Sequence, residues 1–286
     1  MKTLTILALA CLPAFCADWD NWKDWKYNEQ ESIKKTFDVS GAGRKLLVDN
    51  VSGFIHVTGY DGNQVQVSVD KHIYARSPEA LQEARRDVKL DMTQQGSYVR
   101  LYTDGPFRGS NGSMNYRGDD YYGYRVVCDY EIQVPRNSEL NLHNLNYEIK
   151  VKGTTGDYEI HGLNGGIDME DIAGSGSVNT LNGKVRVAFS RNPERDSQFH
   201  TLNGAMDVYF KEPLNADLHF KTLHGGVYAD FDVSPLPAVS QTSSRNSNGM
   251  FYYRSDGNGS ARAGKGGPSL TFNSLNGAIR LHTKTL

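Results

Sequence analysis

Cysteine is nearly absent: Cys11 and Cys16 lie at the very start, and Cys128 stands alone in the rest of the 286 residues. A disulfide framework is excluded, so stability has to come from packing and hydrogen bonds. Glutamate is scarce as well, 11 against 22 Asp, beside 29 Gly and 21 Asn. That balance favours turns and caps and excludes helical bundles and coiled coils. An excess of one charge sign is also missing, with 31 Lys and Arg against 33 Asp and Glu and no long block of either. Without a basic footprint for phosphate backbones, nucleic acid is not an expected partner. Reactive signatures are missing too: there is no G-x-S-x-G elbow, no H-E-x-x-H and no P-loop, and Gly41-Ala42-Gly43 lacks the rest of a nucleotide fingerprint. Neither an enzyme nor a cofactor is expected.

What is present begins with an address. Met1 to Cys16 carries one cation at Lys2, an apolar run from Leu4 to Leu12, a Pro break and then Ala14-Phe15-Cys16. This is the layout of a secretory signal peptide over 1–16, with Ala14 and Cys16 at the two positions that need small residues. The run is too short to span a bilayer, so no transmembrane span is expected in the mature chain. Acylation of Cys16 is an alternative that the bulky Phe15 opposes. A polar, Trp-rich segment follows at 17–44, a β part at 45–134 and a repeat region at 135–286.

The repeat carries the fold. A Leu-Asn/His-Gly motif occurs at Leu163-Asn164-Gly165, Leu181-Asn182-Gly183, Leu202-Asn203-Gly204, Leu223-His224-Gly225 and Leu275-Asn276-Gly277, with a degenerate copy at Leu145-Asn146-Tyr147. Three positions before the motif Leu stand Leu142, Ile160, Val178, Phe199, Phe220 and Phe272; four after it stand Ile149, Ile167, Val185, Met206, Val227 and Ile279. A third apolar column, six after it, is Val151, Met169, Val187, Val208, Ala229 and Leu281. Alternation between these columns is the period-2 mark of strands with one face inward. The template fits once more at 46–57, with Val51-Ser52-Gly53 as motif. The expected fold is all-β: a right-handed β-solenoid, or β-helix-like stack, of ~20-residue rungs, each stacking on the last. Asn and Gly at the corner are expected to supply positive φ. Five Asn, at 146, 164, 182, 203 and 276, are expected to bond from rung to rung as a structural ladder.

Outside the repeat, Val65 to Val69 alternates as a strand. Ser77 caps a short accessory helix entered through Pro78, and Leu90 to Leu101 reads as a hairpin around Gln95-Gly96. Two stretches without apolar period, 105–123 and 234–268, read as long projecting loops. The run Tyr130 to Pro135, followed by rungs of the form Leu-Asn-Gly-x-Ile-x-Val, resembles the bacterial putative adhesin family known as domain of unknown function 4097. The resemblance covers roughly 45–286 and implies an exported or envelope-associated β-solenoid, with no catalytic motif to carry over.

Four sets of residues could carry function. Asp168, Glu170 and Asp171, near Asp207, Lys184 and Arg186, resemble the carboxylate sets of glycan-cleaving solenoids and equally a solvated face. His143 and His161 fall one rung apart, near enough to share a metal or an anion, or simply to line a polar strand edge. No third ligand is evident, and no metal is expected. The best binding candidates are aromatics interleaved with cations: Phe107, Arg108, Tyr116, Arg117, Tyr121, Tyr122 and Tyr124 in one insertion, Phe251, Tyr252 and Tyr253 in the other. These same aromatics could instead fold back on the stack. The expected function is an adhesin-like, non-catalytic binding or structural module of the bacterial envelope or surface, its partner a glycan, the cell wall or an envelope protein. The alternatives are a carbohydrate-active solenoid enzyme and an envelope-stress or assembly factor that binds another protein.

Overall fold

The computed structural model describes residues 25–109, 113–115, 117–236, 242–245, 251–254 and 258–284. The segment read as a signal peptide lies outside the described residues. Before the repeats come β1 (Tyr27–Asp38), β2 (Lys45–Ser52), β3 (Ile55–Tyr60), β4 (Gln64–Ala75), α1 (Pro78–Asp87), β5 (Lys89–Gln95), β6 (Tyr98–Asp104), α2 (Asp119–Tyr122) and β7 (Tyr124–Pro135). The repeats form β8 (Glu139–Asn146), β9 (Ile149–Lys152), β10 (Tyr158–Asn164), β11 (Ile167–Ile172), β12 (Gly176–Asn182), β13 (Val185–Phe189), β14 (Ser197–Asn203), β15 (Met206–Lys211), β16 (Ala216–His224) and β17 (Val227–Ala229). The chain ends with β18 (Val233–Pro235), β19 (Thr242–Arg245), β20 (Phe251–Arg254), β21 (Asn258–Ala263), β22 (Ser269–Asn276) and β23 (Ile279–Lys284).

These strands make an all-β molecule of two large sheets. Among the described residues, sheet A runs β1-β4-β7-β3-β9-β11-β13-β15-β23-β17-β20-β19 and sheet B runs β18-β21-β16-β22-β14-β12-β10-β8-β2-β6-β5. Each motif joins a strand of sheet B to one of sheet A, and equivalent strands pair in parallel with matching residues opposite: Ile160 stands between Leu142 and Val178, and Ile167 between Ile149 and Val185. The expected copy at 46–57 takes its place in the same register, Val48 against Leu142 and Ile55 against Ile149. All three apolar columns are buried between the sheets. Each such side chain contributes roughly 1.5–3 kcal/mol by leaving water, a main source of stability where the one cysteine among the described residues, Cys128, is free.

The order of the rungs departs from simple succession. The last copy, β22 and β23, lies between β14/β15 and β16/β17, so the chain passes over one position and returns to fill it. Aromatic stacking explains why this position suits it. Phe272 lies face to face with Phe199 on one side (centroids 5.3 Å apart) and with Phe220 on the other (5.8 Å). The excursion between them is not simply a projecting loop. β20 pairs antiparallel with β17, and β21 with β16, which extends both sheets past the outermost rung. At the opposite end β1, β4 and β7 extend sheet A while the β5–β6 hairpin extends sheet B. Helix α1 has Ser77 Oγ accepting from the Ala80 N–H at 3.2 Å and buries Ala84 in a small second core with Val51, Ile73, Val88, Phe107 and Tyr124. One further helical turn, α2, was not foreseen from the pattern.

Candidate binding surfaces

The motif corner has two faces. The glycines of the five Leu-Asn/His-Gly copies do not take the positive φ expected of them; at the corner that conformation falls only in the two degenerate copies, at Gly53 (φ 106°) and Tyr147 (φ 84°), and elsewhere at Asp171 and at glycines outside the motif. Gly165, Gly183, Gly204 and Gly277 are required by close approach, because a Cβ on any of them would run into the carbonyl of the rung beneath. Beside them the asparagine amides bond in spatial order: Asn146 Nδ2 to the Val51 carbonyl (3.2 Å), then Asn164 to Asn146 Oδ1 (3.1 Å), Asn182 to Asn164 (2.9 Å), Asn203 to Asn182 (2.7 Å) and Asn276 to Asn203 (2.7 Å). Gly225 lies next in the stack, over Gly277. One residue before the motif Leu, in every copy but that of Leu163, where Gly162 stands, lies a second polar column that was missed in the sequence. Thr180 and Thr201 each donate at 3.0 Å to the corner carbonyl of the preceding rung, Gly165 and Gly183 respectively. The recurrence of Asn50, Asn144, Thr180, Thr201, Thr222 and Ser274 at that position was the available signal.

Three of the six motif leucines face water, while Leu145, Leu163 and Leu202 are half-buried. Leu181, Leu275 and Leu223 are 37%, 36% and 66% exposed, and with Tyr147 and Tyr121 they are all the exposed large hydrophobics among the described residues. Four of these five belong to the motif. The fifth, Tyr121, stands at the head of the row, its ring 5.0 Å from Tyr122, which packs into the same apolar cluster as Leu145. Six stacked leucine positions at ~4.8 Å spacing give an apolar edge about 24 Å long.

The first aromatic insertion lies mostly against the stack rather than away from it. Phe107 and Tyr124 are each only 5% exposed and belong to the second core. Burial pushes the Tyr124 phenol up to about 12. Arg108 is inside as well, its guanidinium 2.7 Å from Asp49 Oδ1 and 4.4 Å above the Tyr102 ring. Tyr122 is half-buried, its ring edge-on to Phe107. What stays at the surface is Tyr121, with Arg117 at 3.1 Å from its hydroxyl, and Tyr147 with Arg125. Tyr116 and the side chains of Phe251, Tyr252 and Tyr253 lie outside the described residues; the backbone of the last three runs in β20.

The outer face of sheet A carries the charges, and here they are paired. Row by row across β9, β11, β13, β15 and β23 stand Lys150, Asp168, Arg186, Asp207 and Arg280. Arg186 meets Asp168 at 2.9 Å, Lys152 meets Glu170 at 3.3 Å and Lys184 meets Asp207 at 2.7 Å. Burial pushes the Asp207 carboxyl up, but bonds and charge from Lys184 and Arg280 outweigh it and hold the group below the ordinary carboxylate range. The expected outward alternation ends at a bulge, where Asp171 (φ 58°) is the extra residue before buried Ile172. Acid–base hydrolysis needs one carboxyl held protonated beside an ionised one, and these three carboxylates are each matched to a cation. A constellation the sequence did not suggest stands further along: His282 Nδ1 is 3.1 Å from Asp230, and its ring stacks on Tyr209 at 4.6 Å, beside a small cavity of about 190 Å³.

On sheet B, His143 and His161 are opposite one another with ring centroids 5.0 Å apart. His161 Nε2 has Glu159 at 3.1 Å, whereas His143 Nε2 is buried without a hydrogen bond. Burial pushes the His143 imidazole below its ordinary value. Among the described residues no three His, Cys, Asp or Glu side chains gather as a metal site, and no helix is long and apolar enough to cross a membrane.

No family model and no curated protein sequence matches the chain, so the likeness to domain of unknown function 4097 remains one of repeat register. Among solved structures it is similar to a "putative cell adhesion protein" from Clostridium sporogenes (14% identity over 90% of this chain and 100% of that one, TM-score 0.38). It is similar also to a "putative adhesin" from Bacteroides fragilis (10% identity, 89% of this chain and 97% of that one, TM-score 0.37). What this chain binds therefore has to be read from its own side chains.

Proposed function

We propose that the chain is an adhesin-like, non-catalytic binding module, exported to the bacterial envelope or surface and built as a right-handed solenoid of ~20-residue rungs. One observation carries the reading: every large hydrophobic side chain exposed among the described residues lies on or at the head of a single edge, the leucine–asparagine corner. Exposed apolar groups gathered in this way mark interaction surfaces. The edge offers methyl groups, two tyrosines and amides, and its Leu, Asn and Gly columns carry no charge. That chemistry fits the apolar and amide surface of an envelope protein. The carbohydrate-active alternative is opposed by the ion pairing of Asp168, Glu170 and Asp207.

The test is retention of the full chain on immobilised envelope proteins, purified cell wall and glycans, with Leu181→Ser/Leu223→Ser/Leu275→Ser as the comparison. Retention on the protein surface is expected to fall at least tenfold in the triple variant at an unchanged melting temperature. Unchanged retention would overturn the edge as the binding surface. Polysaccharide turnover that disappears in Asp168→Asn or Glu170→Gln would overturn the non-catalytic reading.

A further inference from the structure

A second cavity, of about 420 Å³, is a polar groove at the other end of sheet A, away from the His282 cavity. Its floor is the outward pleat of four neighbouring strands. Thr36 of β1 lies opposite Gln66 of β4, Gln66 opposite Gln133 of β7, and Gln133 opposite Thr58 of β3. The adjacent row is Lys34, Ser68, Glu131 and His56, in the same register. The groove therefore displays two rows, one four strands wide and the other three, since His56 lies outside its lining, with ~4.8 Å between strands.

The chemistry of that lattice is narrow. Thr36, Thr58, Ser68 and Gln133 make no side-chain hydrogen bond among the described residues, and Gln66 reaches only the Tyr60 hydroxyl at 3.5 Å. Each is a hydroxyl or an amide, so each both donates and accepts. No aromatic ring lines the groove. Its charged residues are Lys34, Lys35 and Glu131; Lys35 donates to the Met92 carbonyl at 2.7 Å and Glu131 is engaged by His56 at 2.9 Å. A polyanion or a polycation would meet a like charge on this floor, and an apolar segment would strand its hydroxyls and amides without partners. A chain of repeated hydroxyl groups, each again both donor and acceptor, satisfies them. The strand spacing is close to the length of one pyranose unit.

We propose that this groove binds a linear, uncharged polysaccharide lying across the strands, with Gln66 and Gln133 as the central contacts and Thr36, Thr58 and Ser68 beside them. The site is separate from the leucine edge and does not depend on it. Its ligand should be recognised by length: one sugar unit per strand makes a tetrasaccharide or longer chain bind better than a disaccharide.

Affinity electrophoresis of the full chain through gels containing neutral linear glucans, mannans or soluble chitin-type oligomers tests this, with polygalacturonate and a polar peptide as the charged and protein-like probes. At least one neutral polymer is expected to retard the wild type. Gln66→Ala/Gln133→Ala is expected to weaken that retardation at least tenfold, the size expected from losing hydrogen bonds at two residues. These side chains are exposed, so an unchanged melting temperature checks the fold; Thr58→Lys, which fills the groove without removing a packed group, is expected to act in the same direction. Leu181→Ser/Leu223→Ser/Leu275→Ser should leave it intact, which separates the groove from the edge. No retardation by any neutral polymer, stronger retardation by polygalacturonate or the peptide, or wild-type behaviour of both groove variants would each overturn the proposal.

Discussion

Single residues decide how closely the rungs approach. Gly183 sits where a Cβ would meet the Gly165 carbonyl, without positive φ, whereas Gly43 has φ 68° and open space around it. Asparagine tolerates positive φ but carries a Cβ, so the two positions respond differently. Gly183→Asn is expected to lose ~2 kcal/mol or more in urea unfolding, in the range of overpacked cores, and Gly43→Asn only a few tenths. His143 supplies a second residue-scale prediction. Its imidazole is held below the ordinary value by burial, with Asp49, His161, Glu159 and Arg108 as its charged neighbours. The unfolded chain takes up this proton near pH ~6.5 and the folded site only at lower pH, so in that window the unfolded state binds more protons and stability falls as pH drops. The lowered carboxyls of Glu148 and Asp207 lose their stabilisation in a more acid window, below about pH 4. Between pH 7 and 5 the melting temperature should therefore fall, and His143→Gln should flatten that slope; an identical slope would remove His143 as its cause.

At the scale of elements, the corner is held by two parallel columns of bonds, amides outside and hydroxyls inside. Asn203 both donates to Asn182 and accepts from Asn276. Asn203→Ala should cost about 1–2 kcal/mol by thermal or urea melts, more than Asn276→Ala, which breaks one amide bond of the chain rather than two. Much of this architecture is legible in the sequence, because a buried strand face forces an apolar residue at every second position: Leu142, Ile149 and Val151 announce themselves, and so do the helix cap at Ser77 and the hairpin at Gly96. The rung order is not legible. Phe199, Phe220 and Phe272 share one column, and nothing local says which two are neighbours; only the meeting of side chains far apart in sequence decides it. The same reason hides Phe107 and Tyr124, whose Gly- and Tyr-rich surroundings lack a period although both rings find a core. Phe107→Ala should then cost ~3 kcal/mol or more in the same melts, where an exposed loop aromatic would cost almost nothing. The polar groove was equally silent, since it is assembled by register across four strands and no one of them carries a motif.

At the scale of the whole molecule, stacking converts a local motif into two long surfaces. The inward columns make the core, and the outward ones a sheet face whose charges neutralise one another and an edge where apolar groups stay in water. Placing the last rung between the two before it keeps that edge continuous from Leu145 to Leu223. Hydroxyl-radical footprinting of the full chain, free and bound to solubilised envelope protein, tests the central claim most directly, because leucine and tyrosine side chains report their own exposure. Leu181, Leu223, Leu275, Tyr121 and Tyr147 are expected to lose reactivity together on binding. If the chain binds and these five side chains keep the reactivity of the free protein, the edge is not the binding surface.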